Sequence, residues 1–401
     1  MSAEAVPNAF RPVWAEIDLD NLAHNLREIR RRIGEGPEIM AIVKANAYGH
    51  GAPQICRAAL EHGATWLGVA LVEEAVALRR AGITAPVHIL GMPAPWQAEA
   101  VVAADVSCAV CDREVAAALS QAAVRLGRPA RVQLKIDTGM GRLGLLPGEA
   151  PEFLRFLRSL PGVELVGAFT HFASSDESDK GYTLLQHERF RQALAACAEG
   201  CGAEGLLLTH AANSGAIIDQ PELAGSLVRP GIIMYGLYPS PEVDHAAIDL
   251  RPVMSLKARV AYVKRLPAGS PVSYGRTYVT KRDELVALIP LGYADGYSRL
   301  LSGKAEVLLH GRRMPVRGRI CMDQFVVGVP EGVEVRAGDE AVIFGRQGEE
   351  EITVDELAEK LGTINYEVLC GIAGRIPRVY LRAGEVQEVC SFLPDAAPLV
   401  P

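Results

Sequence analysis

Residues 38–51 read EIMAIVKANAYGHG, and the fold turns on this stretch. Ile39, Ala41, Ile42 and Val43 form a short apolar run rich in β-branched side chains, which stops at Lys44, Ala45 and Asn46. The pattern predicts a buried strand with a lysine at its carboxyl end. In an α/β barrel, side chains at that end face the βα loops, where binding and catalysis collect. A lysine closing a core strand can also simply reach for water. Here Tyr48, Gly49, His50 and Gly51 follow at once, and glycine lets backbone approach a bulky ligand. A desolvated amine in that setting suits Schiff-base chemistry.

Outward from this strand a rhythm appears. Apolar runs fall near 39–43, 66–70, 86–90, 106–110, 131–136, 165–169, 206–210 and 226–229. Most are followed by helical text such as Val72–Arg80, Arg113–Leu126 or Pro151–Leu160. Strands alternating with helices in this way predict a parallel (β/α)8 barrel of the TIM type. An earlier run, WAEID at 14–18, makes a ninth strand that should pair outside the barrel, and Asp20 should cap the helix carrying Leu22, Leu26 and Ile29. From about residue 250 the helical period gives way to short alternating runs between Gly, Pro and Asp turns, which predicts an antiparallel β domain. One helix is expected in it, at Val354–Leu361, and a closing strand near Arg378–Leu381. The expected organisation is a flexible tail at 1–12, the barrel at 13–250 (its first strand, 13–18, shared with the second domain), the β domain at 251–391 and a tail at 392–401.

The chain has 401 residues, 49% hydrophobic and 22% charged, with a formal net charge of −7, so it can bury a large core. Interspersed acids and bases argue against a nucleic-acid groove. No apolar run is long enough for a membrane helix, and MSAEAVPNAFRP lacks the layout of a secretory signal, so a cytoplasmic protein is expected. The eight cysteines are then expected to be free thiols. Cys108-Ala-Val-Cys111 has no second CxxC or histidine pair to complete a metal site, and no metal is expected.

The strand ends carry the polar residues: Lys135 and Asp137 before GMGRLG at 139–144, then His171, His210, Asn213-Ser214 and Arg229. Their convergence on one barrel mouth predicts a site there. GMGRLG fits the dinucleotide pattern, and Glu164 stands about twenty residues on. Its place after the fifth strand, and the Leu145-Leu146-Pro147 that interrupts a following helix, argue against that use. A lysine inside a barrel strand needs its charge matched or removed, and Asp137 is the nearest partner in sequence. In the β domain four segments stand out, VSYG at 272–275, GYADGY at 292–297, GRICMDQ at 318–324 and NYE at 365–367, and the tyrosines of the first two sit among glycines. Those settings favour exposure.

VKANAYGHG at 43–51 resembles the pyridoxal-phosphate lysine segment of the bacterial alanine racemases, and the other motifs match the same pattern in order over nearly the whole chain. The resemblance implies pyridoxal 5'-phosphate as cofactor, held through Lys44, with Ser214, Gly231 and Ile232 at the phosphate, Arg229 at the pyridine nitrogen, and Tyr48 and Tyr366 flanking the ring. It gives Arg142, Met322 and Tyr293 to the substrate side and implies a carbamylated Lys135 that orients Arg142. It also implies interconversion of L- and D-alanine, supplying D-alanine for peptidoglycan. Inverting a carbon centre needs proton removal on one face and delivery on the other. Lys44 would serve one and Tyr274 the other, the lysine acting on D-alanine and the tyrosine on L-alanine. A free phenol titrates near 10, and His171, linked to Arg229, is the residue that would lower it. Tyr274 and Met322 would come from the partner chain of a head-to-tail homodimer. A barrel-type amino-acid decarboxylase and a non-enzymatic cofactor-binding protein are the competing readings. Arg229 counts against the first, and the β domain against the second.

Overall fold

The computed structural model describes residues 11–201 and 208–391. The expected tail segments 1–10 and 392–401, and the first two residues of the run at 206–210, lie outside them. Two compact units emerge: one holds Leu22–Ala47 and Ala52–Arg251, the other the chain up to Asn21, Tyr48–Gly51 and everything from Pro252 onward.

The first unit is the barrel. A lone strand, β1 (Val13–Asp18), precedes it in the chain. Its eight parallel strands are β2 (Glu38–Ile42), β3 (Trp66–Val69), β4 (Val87–Ile89), β5 (Ser107–Val110), β6 (Ala130–Lys135), β7 (Val163–Phe169), β8 (Leu208–His210) and β9 (Leu227–Val228). They run β9-β2-β3-β4-β5-β6-β7-β8 around the ring. Between β8 and β9 the ring closes through single bonds: Thr209 O accepts from Ser226 N–H at 2.9 Å and Ala212 O from Arg229 N–H at 3.0 Å. Ile39, Met40 and Ala41 of β2 are fully buried, as a barrel strand walled by its neighbours requires. Each such large side chain contributes about 1.5–3 kcal/mol of burial. The helix Arg113–Leu126 shows how local sequence sets the outer layer. Asp112 accepts from the N–H groups of Glu114 and Val115, and Gly127 ends the helix in the left-handed region at φ 62°.

The second unit is a ten-strand sheet plus one branch. Its strands are β10 (Met254–Arg259), β11 (Tyr262–Leu266), β14 (Glu284–Ile289), β15 (Glu306–Leu309), β16 (Arg312–Arg317), β17 (Phe325–Val329), β18 (Glu340–Gln347), β19 (Glu350–Ile352), β20 (Arg378–Arg382), β21 (Glu385–Cys390) and β1. β12 (Pro271–Val272) and β13 (Tyr278–Val279) form a separate hairpin. β1 lies between β10, antiparallel with Ala15 opposite Leu256, and β20, parallel with Ala15 opposite Arg378. Trp14 packs there against Val379 and Leu381.

Several expectations need correction. The helix Leu19–Ile33 is capped by Asp18, whose Oδ1 accepts from Asp20 and Asn21 N–H at 2.9 Å each, while Asp20 binds the Ala383 N–H instead. The segment expected to be loose is fixed at Arg11, which binds the Asp295 carboxylate and Pro290 O. Besides the helix Val354–Leu361 there is a second, Asn365–Cys370, which carries Tyr366. Tyr297 is buried and stacks on Phe325 at 5.0 Å, so its glycine neighbours do not expose it.

Candidate active site

β2 ends at Ile42, where Tyr235 donates its hydroxyl to Ile42 O at 2.8 Å and Val43 N–H donates to Gly68 O at 2.8 Å. From Lys44 the chain turns the wrong way for L-residues: Ala45, Asn46, Ala47 and Tyr48 all have φ between 52° and 54°. Each costs roughly 1–2 kcal/mol relative to a right-handed turn. Side chains hold the turn in place. Glu74 Oε1 accepts from Ala45 N–H at 2.6 Å while its Oε2 takes Ala70 N–H at 2.8 Å, and Asn46 Oδ1 accepts from Ala52 N–H at 2.9 Å. Strain of this kind persists only where surrounding structure over-determines it, and it gathers at functional sites. The sequence pointed to glycine as the permissive element here, yet the strained residues are mostly alanine and asparagine.

Lys135, at the end of β6, is 5% exposed, and its Nζ has no hydrogen-bond partner among the described residues. It lies 4.7 Å from the centre of the Phe169 ring. Burial, reinforced by repulsion from Arg229, brings the amine down to about 7. Asp137 does not hydrogen-bond to it, although the negative charge of Asp137 favours the protonated amine. The Asp137 carboxylate accepts from four loop amides, Gly139 at 2.9 Å, Met140 at 2.8 Å, Gly141 at 3.1 Å and Arg142 at 3.0 Å. Burial works against its charge, but those bonds hold it below the usual carboxylate value. The same bonds remove the dinucleotide reading of GMGRLG, because the amides that would cradle a pyrophosphate are already taken. Tyr182 and Arg189 brace the loop, donating to Gly139 O at 2.8 Å and Thr138 O at 3.0 Å. A Cβ at Gly139 would meet the Tyr182 hydroxyl at 2.4 Å. The Arg142 side chain is exposed.

Arg229 follows β9 and is buried. Its Nη2 donates to Thr170 O at 2.8 Å, Ala211 O at 2.9 Å and His171 Nδ1 at 3.1 Å, and its Nη1 donates to His210 Nδ1 at 2.5 Å. Burial lowers the guanidinium to about 9, so it stays charged at neutral pH. Both histidines accept through Nδ1, which leaves the hydrogen of each neutral ring on Nε2. His210 donates that hydrogen to Gln133 Oε1 at 2.6 Å. His171 is held far below the normal imidazole value by burial, then by the charges of Arg229, Lys135, Arg142 and Lys44. Arg229, bonded to its Nδ1, is thus the basic group in direct contact with one neutral imidazole at the barrel mouth. Beside them, Gly231 N–H donates to Ser214 Oγ at 3.0 Å. Ser214 opens the helix Ser214–Asp219, whose cap is Asn213, and Ile232 opens the turn Ile232–Tyr235. The first N–H groups of both have no partner within the helix.

The remaining expected residues belong to the β unit. Tyr274 sits in the β12–β13 hairpin loop and is 71% exposed, and Met322 is 53% exposed. Together with Tyr293 they line an open depression of about 770 Å³. The Tyr48 and Tyr366 rings form a separate pair with centres 6.0 Å apart, tilted by 46°. Arg378, buried beside them, donates Nε to Gly49 O at 3.0 Å, and Tyr380 donates its hydroxyl to His50 O at 2.9 Å. Sequence reasoning missed the parts played by Glu74, Gln133, Asp295 and Arg378: Asp295 lies in GYADGY and Arg378 opens the expected closing strand, but the segment each one binds is distant in the chain. Among the described residues seven cysteines are free thiols. Burial pushes the Cys108 thiol up to about 12, and Cys111 Sγ lies 3.6 Å from Met92 Sδ.

A parallel barrel with basic side chains and a neutral histidine gathered beyond the ends of its strands has the layout of an enzyme site. Comparison with known proteins makes the class specific. Residues 17–239 match the family described as Alanine racemase, N-terminal domain, and residues 253–380 match Alanine racemase, C-terminal domain. The chain is 50% identical over 375 residues to the alanine racemase of Symbiobacterium thermophilum, covering 93% of this chain and 98% of that one. With the alanine racemase of Clostridium perfringens it shares 48% identity over 387 residues, 96% of this chain and 99% of the relative. A crystal structure of alanine racemase from Bacillus anthracis with bound L-Ala-P superposes with a TM-score of 0.91 at 39% identity, covering 96% and 99% of the two chains. The chain belongs to the alanine racemase family. Members of that family are pyridoxal-phosphate-dependent isomerases.

Proposed function

We propose that this protein interconverts L-alanine and D-alanine, using Lys44 and Tyr274 as proton-transfer groups on opposite faces of the substrate's α-carbon. The observation that carries the reading is the buried Arg229, which ties His171 and His210 together beyond the strand ends beside Ser214 and Gly231. The residues present fit pyridoxal 5'-phosphate. Lys44 would hold it covalently, Ser214 Oγ and the N–H groups at Gly231 and Ile232 would take the phosphate, Arg229 would face the ring nitrogen, and Tyr48 and Tyr366 would flank the ring. When bound, that group supplies the electron withdrawal that acidifies the substrate's α-hydrogen.

The chain's own residues do the rest. The Lys44 amine removes or returns a proton on one side, acting on D-alanine, and the Tyr274 oxygen does so on the other, acting on L-alanine. With Nδ1 occupied by Arg229, His171 presents Nε2–H, and a donor aimed at a phenol oxygen favours its deprotonated form. Arg229 cannot accept a proton, so a pyridine nitrogen held against it would stay unprotonated, which would limit charge spreading and disfavour side reactions. Arg142 binds the substrate carboxylate, and Lys135 as a carbamate would orient it. Met322 and Tyr293 shape the substrate side.

Two chains pair head to tail in this reading, each site taking Tyr274 and Met322 from the partner chain. Free thiols suit a reducing, cytoplasmic setting, and D-alanine would go to peptidoglycan. The test is subunit mixing. Lys44→Ala and Tyr274→Ala chains, each inactive alone, should regain about a quarter of normal sites after random exchange, from the symmetry of a two-fold dimer. The regained product should be D-alanine from L-alanine with pyridoxal phosphate. Carbon dioxide release, or no recovery in chains shown to exchange, would defeat the reading.

A further inference from the structure

The two segments that carry Tyr293 and Met322 are locked to each other. A Cβ at Gly292 would lie 2.2 Å from Met322 O, so the backbones touch at a place only glycine fits. Tyr293 N–H donates to Cys321 O at 3.1 Å and Ala294 N–H to Met322 O at 3.0 Å. Asp295 closes the short turn Tyr293–Asp295, with Oδ2 accepting from Gly292 N–H at 2.9 Å. Its side chain has no solvent exposure, and two arginines meet it. Arg375 donates Nε to Asp295 Oδ1 at 2.6 Å and reaches Asp323 Oδ1 with Nη2 at 2.7 Å. Arg11 binds both Asp295 oxygens, Nη2 to Oδ2 at 2.7 Å, and also donates to Pro290 O at 2.7 Å. Asp323 follows Met322 directly. One carboxylate thus fixes the turn bearing Tyr293, and through Arg375 the segment bearing Met322.

We propose that Asp295, Arg375 and Arg11 form a positioning clamp that holds Tyr293 and Met322 in the geometry that binds the amino-acid substrate. The inference rests on the reading of Tyr293 and Met322 as substrate-side residues. None of the three clamp residues lines the depression itself, so their effect is transmitted through loop geometry. A clamp of this type acts on binding before it acts on chemistry. Loosening it lets Met322 and Tyr293 sample other positions, while the loop of Tyr274 keeps its own tie from Ser273 Oγ to Arg319 O at 2.5 Å.

Asp295→Asn would strand two guanidiniums at a neutral amide, so the decisive variant is at Arg375, whose side chain is partly exposed and leaves Arg11 on the carboxylate. In the full-length, cofactor-loaded enzyme, Arg375→Met should raise KM for L-alanine about tenfold while kcat changes by less than about threefold. Arg375→Lys, able to reach one carboxylate at a time, should recover part of the loss. Amide exchange at Tyr293 and Ala294 should accelerate in Arg375→Met, and exchange in the helix Arg113–Leu126 should not. Combining Arg375→Met with Met322→Ala should be little worse than Met322→Ala alone, because both act on one element. Unchanged KM and unchanged exchange in Arg375→Met, or effects that simply multiply, would overturn the clamp. Tyr293→Phe and Met322→Ala separately test the parent reading. If both leave KM and kcat unchanged while exchange in Arg375→Met still rises, the substrate role falls even though the two segments are coupled.

Discussion

Lys135 is the residue whose chemistry depends most on its surroundings. With its amine near 7, a substantial fraction is unprotonated at neutral pH and nucleophilic. Attack of the Nζ lone pair on carbon dioxide forms a C–N bond, releases a proton to solvent and leaves a carbamate, an anion able to balance the cations around it. Labelled bicarbonate should therefore give a carbamate carbon signal that Lys135→Ala abolishes. An unmodified amine in the intact protein would refute this. The unmodified amine has its own signature. Its folded value, about 7, lies below its ordinary 10.5, so between those values the unfolded chain holds more protons and stability rises with pH. The buried imidazoles work in the acid range. His88 falls to about 3 through burial and the charges of Arg229 and Lys135, and His171 and His210 are pushed the same way. Each is neutral when folded and takes a proton below about 6.5 when unfolded, so each contributes stability that is lost as pH falls through and below 6.5, by about 1.4 kcal/mol per pH unit. Calorimetry from pH 7 to 4 should show Tm dropping steeply, and His88→Gln should reduce the slope by close to one proton. That Lys44, His171, Ser214 and Arg229 follow strand ends was legible in the sequence, because the barrel period predicts which positions close strands. The true partner of Asp137 was not, because the loop amides it binds carry no side-chain signature.

At the scale of elements, alternation and period located most strands and the helices Val72–Arg80, Arg113–Leu126 and Val354–Leu361 with little error. The helix Asn365–Cys370 escaped because it is short and Ile364 gives it no side-chain cap. β21 escaped because the two residues it packs inward, Val386 and Val389, are three apart and break the alternation that marks a strand. The left-handed turn after Lys44 is the larger omission. Asn46 tolerates positive φ, but nothing in the flanking alanines announces it, and the turn is held by Glu74 from the next βα unit. Glu74→Ala should therefore slow racemisation by about tenfold or more, since a hydrogen bond to a charged acceptor is worth about 1.5–3 kcal/mol. Glu74→Gln, which keeps an acceptor, should be milder. Equal rates for the two variants would show that the turn needs no carboxylate. Gly49 belongs to the same argument. At φ 84° a Cβ would sit 2.5 Å from Leu369 O, and Gly49→Ala should lower Tm by several degrees, measurable by thermal unfolding.

For the whole molecule, the two-unit plan was visible as a change of period near residue 250. The sequence also marked the WAEID strand as foreign to the barrel, but not which strands would flank it. If each site draws on two chains, specific activity should fall on dilution in step with dimer dissociation followed by ultracentrifugation, and constant activity through dissociation would contradict shared sites. The threading of the chain has a further effect during synthesis. β1 pairs with strands made more than two hundred residues later. The segment after the lysine is gripped by Arg378 and Tyr380, 329 and 330 residues downstream. A nascent polypeptide leaving the ribosome therefore has every barrel strand in hand long before the clasp that finishes the lysine loop exists. Translation arrested short of Arg378 should yield chains that resist proteolysis in the barrel yet remain catalytically silent, so that activity switches on only once Arg378 and Tyr380 have been added.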